Sequence, residues 1–525
     1  MSKVNLDAII PREDFLTENK IRHPGGANPI PGFSVSDLKS EGHVFPFLRK
    51  PDFQRETSEW EPEKVCGLIE SFVNEDLIPA VILWKSPGYT FVIDGSHRLS
   101  ALAAWVNDDY GDGIISRKFY GNIPEQQEKI AKQTRSLIQD RVGDFRDYEA
   151  ASKDPSSVKQ EIAKRASSLP FTSISLQWLS QSTNAKKAES SFLKINKEAA
   201  PINPTELKLI ECRNKPNGIA ARATIRGGAG HQYWAKFPKE KREKIISLAK
   251  EINQMLFTPP YKDPIKTLDL PVGGKIYSAQ TLPLIVDMIN IVNGISLEKK
   301  IKKNVPQPTI ADDVNGDETI KYLKNAKKIA MLINSIDPSS LGLHPAVYFY
   351  SREGRHKIAS FYAIIALIMD FEKHRWFEKF LKIREKFENF LINNDKLVQQ
   401  IVRKHRSASN GYLKIKDFYR FVLDLLVKGY SGTQLISEII KNPDFTYLQT
   451  SNFLQTDDKD NFTKEKKSEA FIKEALKNAL KCQYCKGYIH INSITVDHIK
   501  SKNKGGKGNI ENAQLLHPKC NSIKN

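Results

Sequence analysis

Cysteine is scarce and odd in number, five in 525 residues, which excludes a disulfide-built scaffold and favours a reducing compartment, the cytoplasm. Long apolar runs are missing too. The longest, Ile358 to Met369, is interrupted by Ser360 and ends at Asp370; it is too short for a bilayer and reads as a buried helix. The opening MSKVNLDAIIPRED has no basic stretch followed by an apolar one, so no secretory signal is expected. Acid is in deficit: 61 Asp+Glu face 80 Lys+Arg, a net +19. That balance points to a polyanion as partner, nucleic acid first, and to no membrane. No repeat recurs at a fixed period, so a solenoid is unsupported. Adding 28 Gly to the 40% apolar residues gives about 45%, an ordinary globular share that argues against wholesale disorder.

The few metal-capable residues are gathered at one end. Cys482, Cys485 and Cys520 fall in the last 44 residues, and His490, His498 and His517 in the last 36. From Ile472 to Asn525 ten Lys face Glu474, Asp497 and Glu511, so the same stretch carries +7. A small, basic, metal-dependent module is expected there.

The rest divides by pattern into a multidomain α+β chain. Residues 1–40, with HPGGANPIPG, read as an irregular arm. Residues 41–215 open as α/β. A helix is expected over Pro62–Val73, strands over Ala80–Trp84 and Thr90–Ile93 joined by a turn at Lys85–Gly88, then the Asp94-Gly95-Ser96 turn and a helix over Arg98–Val106. A helix near Ala188–Lys197 precedes another over Leu207–Cys212. Residues 216–455 are mainly helical, with helices expected over Lys241–Leu256, Ile320–Ile336, Ala359–Phe371, Glu372–Asn394 and Phe418–Lys428. Trp234, Trp376 and the other aromatics there read as core. The clusters at 239–242 and 403–406 read as solvated faces, with a track for a DNA backbone as the alternative, and His356 as a surface or capping residue. A charged stretch sets a linker over 456–470, and a helix over Ala470–Leu480 opens the terminal module, residues 471–525.

Within that module Cys482-x-x-Cys485 and His517-x-x-Cys520 are two half-sites that together make a closed four-ligand Cys₃His set, as structural Zn²⁺ requires. Metal there supplies on the order of 10 kcal/mol of folding free energy to a module too small for its own core. Between the half-sites come Asp497-His498-Ile499, Gly505-Gly506 and Asn512, after an alternating apolar stretch (Tyr488 to Val496) that suits a hairpin; Asn521 follows Cys520. This order resembles the HNH, or ββα-metal, nucleases over 482–525, with His517 where many members carry Cys. The resemblance implies that His498 is the general base that activates water, that Asp497 and Asn521 hold one catalytic Mg²⁺ or Mn²⁺, and that Asn512 orients the His498 ring. Phosphodiester hydrolysis needs such parts: a base able to take a proton near neutral pH and a hard cation beside the developing charge. The chain ends four residues after Asn521, so the last helix is expected to be a stub.

Near the amino terminus, Asp94-Gly95-Ser96-His97-Arg98 follows a strand and opens a helix, where backbone N–H groups and an Arg suit a phosphate. With Phe53-Gln54-Arg55 and Trp60 before it, and Glu189, Phe192, Ile195, Asn196 and Glu206-Leu207 after it, the order resembles the ParB-like D-G-Q-Q-R domain of GmrSD-type modification-dependent restriction enzymes and SspE-type phage-defence proteins. The resemblance implies nucleotide binding (GTP, ATP or CTP) at Asp94 to Arg98, with Gln54 and Arg55 close by. Ser96 and His97 stand in for the usual Gln-Gln, which favours binding over hydrolysis. The whole reads as a gated, metal-dependent DNA endonuclease of anti-phage defence. Its amino-terminal module would sense nucleotide or DNA modification, and a second copy or companion modification proteins are the expected partners. The alternatives are a non-catalytic ParB-type DNA-binding regulator and an ungated nuclease for repair or RNA.

Overall fold

In the computed structural model the described residues are 3–15, 30–52, 54, 60–86, 88–121, 123–180, 183–199, 212–276, 280–297, 310–449 and 461–524. They form two compact units, Met1–Arg213 with Ala229–Tyr233, and Asn214–Gly228 with Trp234–Asn525. Among them no helix is long and apolar enough to cross a membrane.

In the first unit the two strands within Val81–Asp94 are apolar almost without interruption because both of their faces are covered. Val81, Leu83 and Val92 face a large core built with Cys66, Ile69, Leu102 and Trp105. The alternate residues Trp84, Phe91 and Ile93 face a smaller one with Phe15, Ala188 and Phe192. The sheet has six strands: β1 (Arg12–Glu13), β2 (Gly32–Phe33), β3 (Leu48–Pro51), β4 (Val81–Lys85), β5 (Thr90–Asp94) and β6 (Ile174–Trp178). Their order is β1-β3-β5-β4-β6-β2. β5 runs parallel to β3 and antiparallel to β4, which lies parallel to β6. The helices Pro62–Val73 and Ser96–Val106 form where expected, the second beginning two residues earlier. Glu125–Arg141, Phe145–Lys153 and Gln160–Ser168 complete the large core. The helix expected over Leu207–Cys212 lies outside the described residues but for its last position.

The second unit is helical up to its end. Ile358–His374 is the expected buried helix and packs against Ala408–Val427. Trp234 and Trp376 are core residues. Several boundaries depart from the sequence reading, each for a local reason. The helix expected from Glu372 begins at Phe377, because Arg375 turns left-handed (φ 53°) and Trp376 leaves the helix to stack on Phe371 at 5.2 Å. The helix expected from Phe418 starts at Ala408, capped by Ser407, whose hydroxyl accepts the Asn410 N–H. The helix expected to reach Ile336 stops at Ile333, since Asn334 turns inward to donate to the Leu343 carbonyl. Residues 464–469, read as linker, are the first turns of Lys464–Lys477 under a Thr463 cap. His356 is half-buried: its ring packs on Tyr350 and Phe361, Nε2 meets the Val272 carbonyl at 2.9 Å, and desolvation pushes its pKa down to about 4.

The terminal module is two antiparallel strands and a helix: β7 (Thr495–His498), β8 (Ala513–Leu516) and Pro518–Lys524. The apolar stretch Tyr488–Val496 joins a hairpin only through its last two residues, Thr495 and Val496. Tyr488 and Ile489 are buried, the chain makes a short 3₁₀ turn at Ile491–Ser493, and β7 pairs forward with β8.

Candidate active site and metal centre

Cys482, Cys485, His517 and Cys520 meet as the spacing requires. Their ligand atoms all lie within 4.8 Å of one another, and all four residues are buried. A tight knuckle brings the first pair together: Lys486 N–H bonds the Cys482 carbonyl and Cys482 N–H the Gly487 carbonyl, with Lys486 at φ 57°. Pro518 starts the helix that presents the second pair. His517 Nε2 lies 2.9 Å from the Tyr488 carbonyl and donates to it, which leaves Nδ1 for a metal. Nδ1 is the atom near sulfur, 3.3 Å from Cys485 and 3.9 Å from Cys520. Burial, reinforced by the Arg384 guanidinium, keeps His517 neutral, as a ligand must be. Bonds from the Cys485 and Cys520 thiols hold Cys482 as a thiolate. Neutral imidazole, thiolate and enclosure fit a structural metal ion.

Asp497 and His498 end β7. Burial alone would raise the Asp497 carboxyl. A bond from Lys524 Nζ (2.7 Å), one from the His498 backbone and the Lys524 charge outweigh it and hold the group below the ordinary carboxylate range. Gln514, directly opposite in the strand register, donates to Asp497 Oδ2 (3.4 Å) and to the His498 carbonyl (3.0 Å). Asn521 Nδ2 donates to Thr495 Oγ1 (3.4 Å). Thr495 lies two residues before Asp497, on the same face of β7, so Asn521 and Asp497 approach the strand from one side. Because the folded pKa of Asp497 is depressed, its carboxylate contribution is complete above about pH 4 and lost only as pH falls through the folded value. Carboxyl NMR of the cation-free protein should give Asp497 a midpoint below about 3.9; one above it would show that Lys524 does not hold the carboxylate.

Asn512 does not bond the His498 ring among the described contacts. Its side chain accepts the Lys500 N–H (2.7 Å) and donates to the Lys500 and Lys507 carbonyls (3.1 and 2.8 Å), closing the loop that carries Gly505 and Gly506. Gly505 has φ 79°, and a Cβ on Gly506 would strike the Lys500 carbonyl, so this loop needs both glycines. It passes beside His498, where a Cβ on Gly508 would lie 3.9 Å from Nε2.

In the first unit, Asp94 ends β5, Gly95 takes φ 89°, and Ser96 starts the helix. Arg98 folds back: Nη2 donates to Asp94 Oδ2 (2.8 Å) and to the Ala80 carbonyl (3.1 Å). His97 stacks on Trp60 at 5.6 Å. Gln54 is brought to the turn, its Nε2 donating to the Ile93 carbonyl at 3.3 Å; its Oε1 is buried with no hydrogen-bond partner. Arg55 lies outside the described residues. Sequence reasoning missed the polar set beside Gln54: Asp7 takes bonds from buried Lys50 Nζ (2.9 Å) and from Arg12, which also donates to the Gln54 carbonyl. Gln514 and Lys524 were missed as well, and only the β7–β8 register would have revealed Gln514.

The knuckle, the Asp-His strand end and the short helix are those of an HNH nuclease, and residues 482–525 match the HNH endonuclease family. Residues 35–210 match the GmrSD restriction endonuclease N-terminal domain, so one chain carries both matches, in the order of a GmrSD-like fusion. No curated protein and no solved structure matches it.

Proposed function

We propose that this chain is a gated DNA endonuclease of anti-phage defence. Asp497 and His498 at the end of a strand anchored by the Cys₃His knuckle, in one chain with a GmrSD-type domain, carry the reading. Zn²⁺ is the metal that three thiols and one imidazole suit best. His498 removes the proton from the attacking water. Asp497 and Asn521 are the residues that would hold Mg²⁺ or Mn²⁺, which supplies Lewis-acid stabilisation of charge on the scissile phosphate. Gln514 keeps Asp497 aimed, and Asn512 keeps the 500–507 loop closed beside His498.

The turn from Asp94 to Arg98, with Gln54 and Arg55, is the proposed site at which a nucleotide or a DNA modification is sensed. Arg98 already has two partners, so a phosphate would have to compete for it. Supercoiled plasmids with and without backbone or base modification, plus and minus GTP, ATP or CTP, test the gate in Mg²⁺ or Mn²⁺. Nicking is expected to depend on modification or nucleotide, and Arg98→Ala to remove that dependence. Equal cutting of every plasmid without nucleotide would leave the nuclease and discard the gate.

A further inference from the structure

The helix Phe377–Asn393 carries a buried ion pair, Arg384 and Glu388, beside the metal cluster. Arg384 Nε donates to Glu388 Oε1 at 2.7 Å, and the two side chains are 0% and 1% exposed. Burying two charges is costly unless every hydrogen-bonding position is used. Here they are spent on the metal knuckle and its supports. Arg384 donates to the Leu341 and Gly342 carbonyls, and its Nη1 lies 3.2 Å from His517 Nδ1. Glu388 accepts the Tyr348 hydroxyl (3.0 Å) and, through Oε2, the backbone N–H of Tyr488 (2.8 Å). Tyr488 is also the residue whose carbonyl orients His517. The fit is close on both sides: a Cβ on Gly487 would overlap the Arg384 guanidinium, and one on Gly342 would lie 2.6 Å from His517 Cδ2.

We propose that Arg384 and Glu388 are the outer shell of the Cys₃His metal site, so that loading the metal and docking the nuclease module on the helical body are one event. Three thiolates around a divalent cation carry a net negative charge, and the guanidinium is the buried cation set against them. Glu388 holds the knuckle backbone in register. The nuclease module therefore belongs mechanically to the helical body.

The inference rests on the metal reading, and the test separates the two. Full-length protein is purified, its zinc content measured, and release to a chromophoric chelator followed for wild type, Arg384→Met and Glu388→Gln. Each variant is expected to lose zinc about 10- to 100-fold faster, the usual effect of removing an outer-shell partner. Hydrogen exchange in Phe377–Asn393 is expected to rise when wild-type zinc is stripped, because coupling is reciprocal. Folded variants that release zinc at the wild-type rate, or wild-type exchange in that helix unmoved by stripping, overturn the proposal. A wild-type protein that holds no zinc overturns the metal reading beneath it. If Arg384→Met does not fold, the isosteric Glu388→Gln and the wild-type exchange experiment decide.

Discussion

His498→Ala is expected to lower plasmid nicking by about 10² to 10⁴-fold while leaving DNA affinity within a factor of two or so, the size of effect that loss of a general base has elsewhere. The expectation follows from placement. His498 closes β7 next to Asp497, its carbonyl is pinned by Gln514 and Lys524, and its Nε2 lies beside the glycine loop, 3.9 Å from where a Cβ on Gly508 would sit. A residue so placed can reach a water without deforming the strand. Nicking rates at saturating Mg²⁺ or Mn²⁺, with mobility-shift titrations of the same variant, separate a chemical defect from a binding defect. If the variant nicks within threefold of wild type, His498 is not the base. If affinity falls along with the rate, the ring grips DNA, as in a non-catalytic module.

The second large effect is expected from the knuckle. Cys520→Ser removes one ligand from a buried set, and metal in such sites contributes on the order of 10 kcal/mol to folding. Nicking should vanish, bound zinc should fall from one per chain to none, and protease should cut within 482–524. The first unit, whose two cores share nothing with the knuckle, should keep its own protease-resistant fragment. A Cys520→Ser protein that keeps one zinc and full nicking would show that the four residues are not a ligand set.

Much of this site was legible because its parts are close in sequence. C-x-x-C, Asp-His, Gly-Gly and H-x-x-C each lie within four residues, and the two Cys/His pairs do meet in one cluster. What was not legible depends on distant pairing. The partner of β7 lies beyond the glycine loop, so a local reading named no partner strand and could not see Gln514 opposite Asp497. Asn512 looked like a residue for the ring and is a residue for the loop, a distinction made by three carbonyl and amide groups around it. Arg384 and Glu388 read in sequence as an ordinary i,i+4 pair on a charged helix; only folding buries them. Helix ends moved where a side chain was claimed elsewhere, as with Trp376 and Asn334.

The helix Ser96–Val106 is buried along nearly its whole length. Its far end is tied by the Trp105 indole N–H to the Gly143 carbonyl at 3.0 Å and wedged edge-on against Phe145 and Tyr148. A packed interior does not deform by degrees. If the Asp94 turn is the sensing site proposed above, a ligand there meets a strut instead of a hinge: small displacements are refused until one is large enough to break the Trp105 anchor. The proposed sensing would then have the character of a latch, with a threshold below which the bound state stays silent.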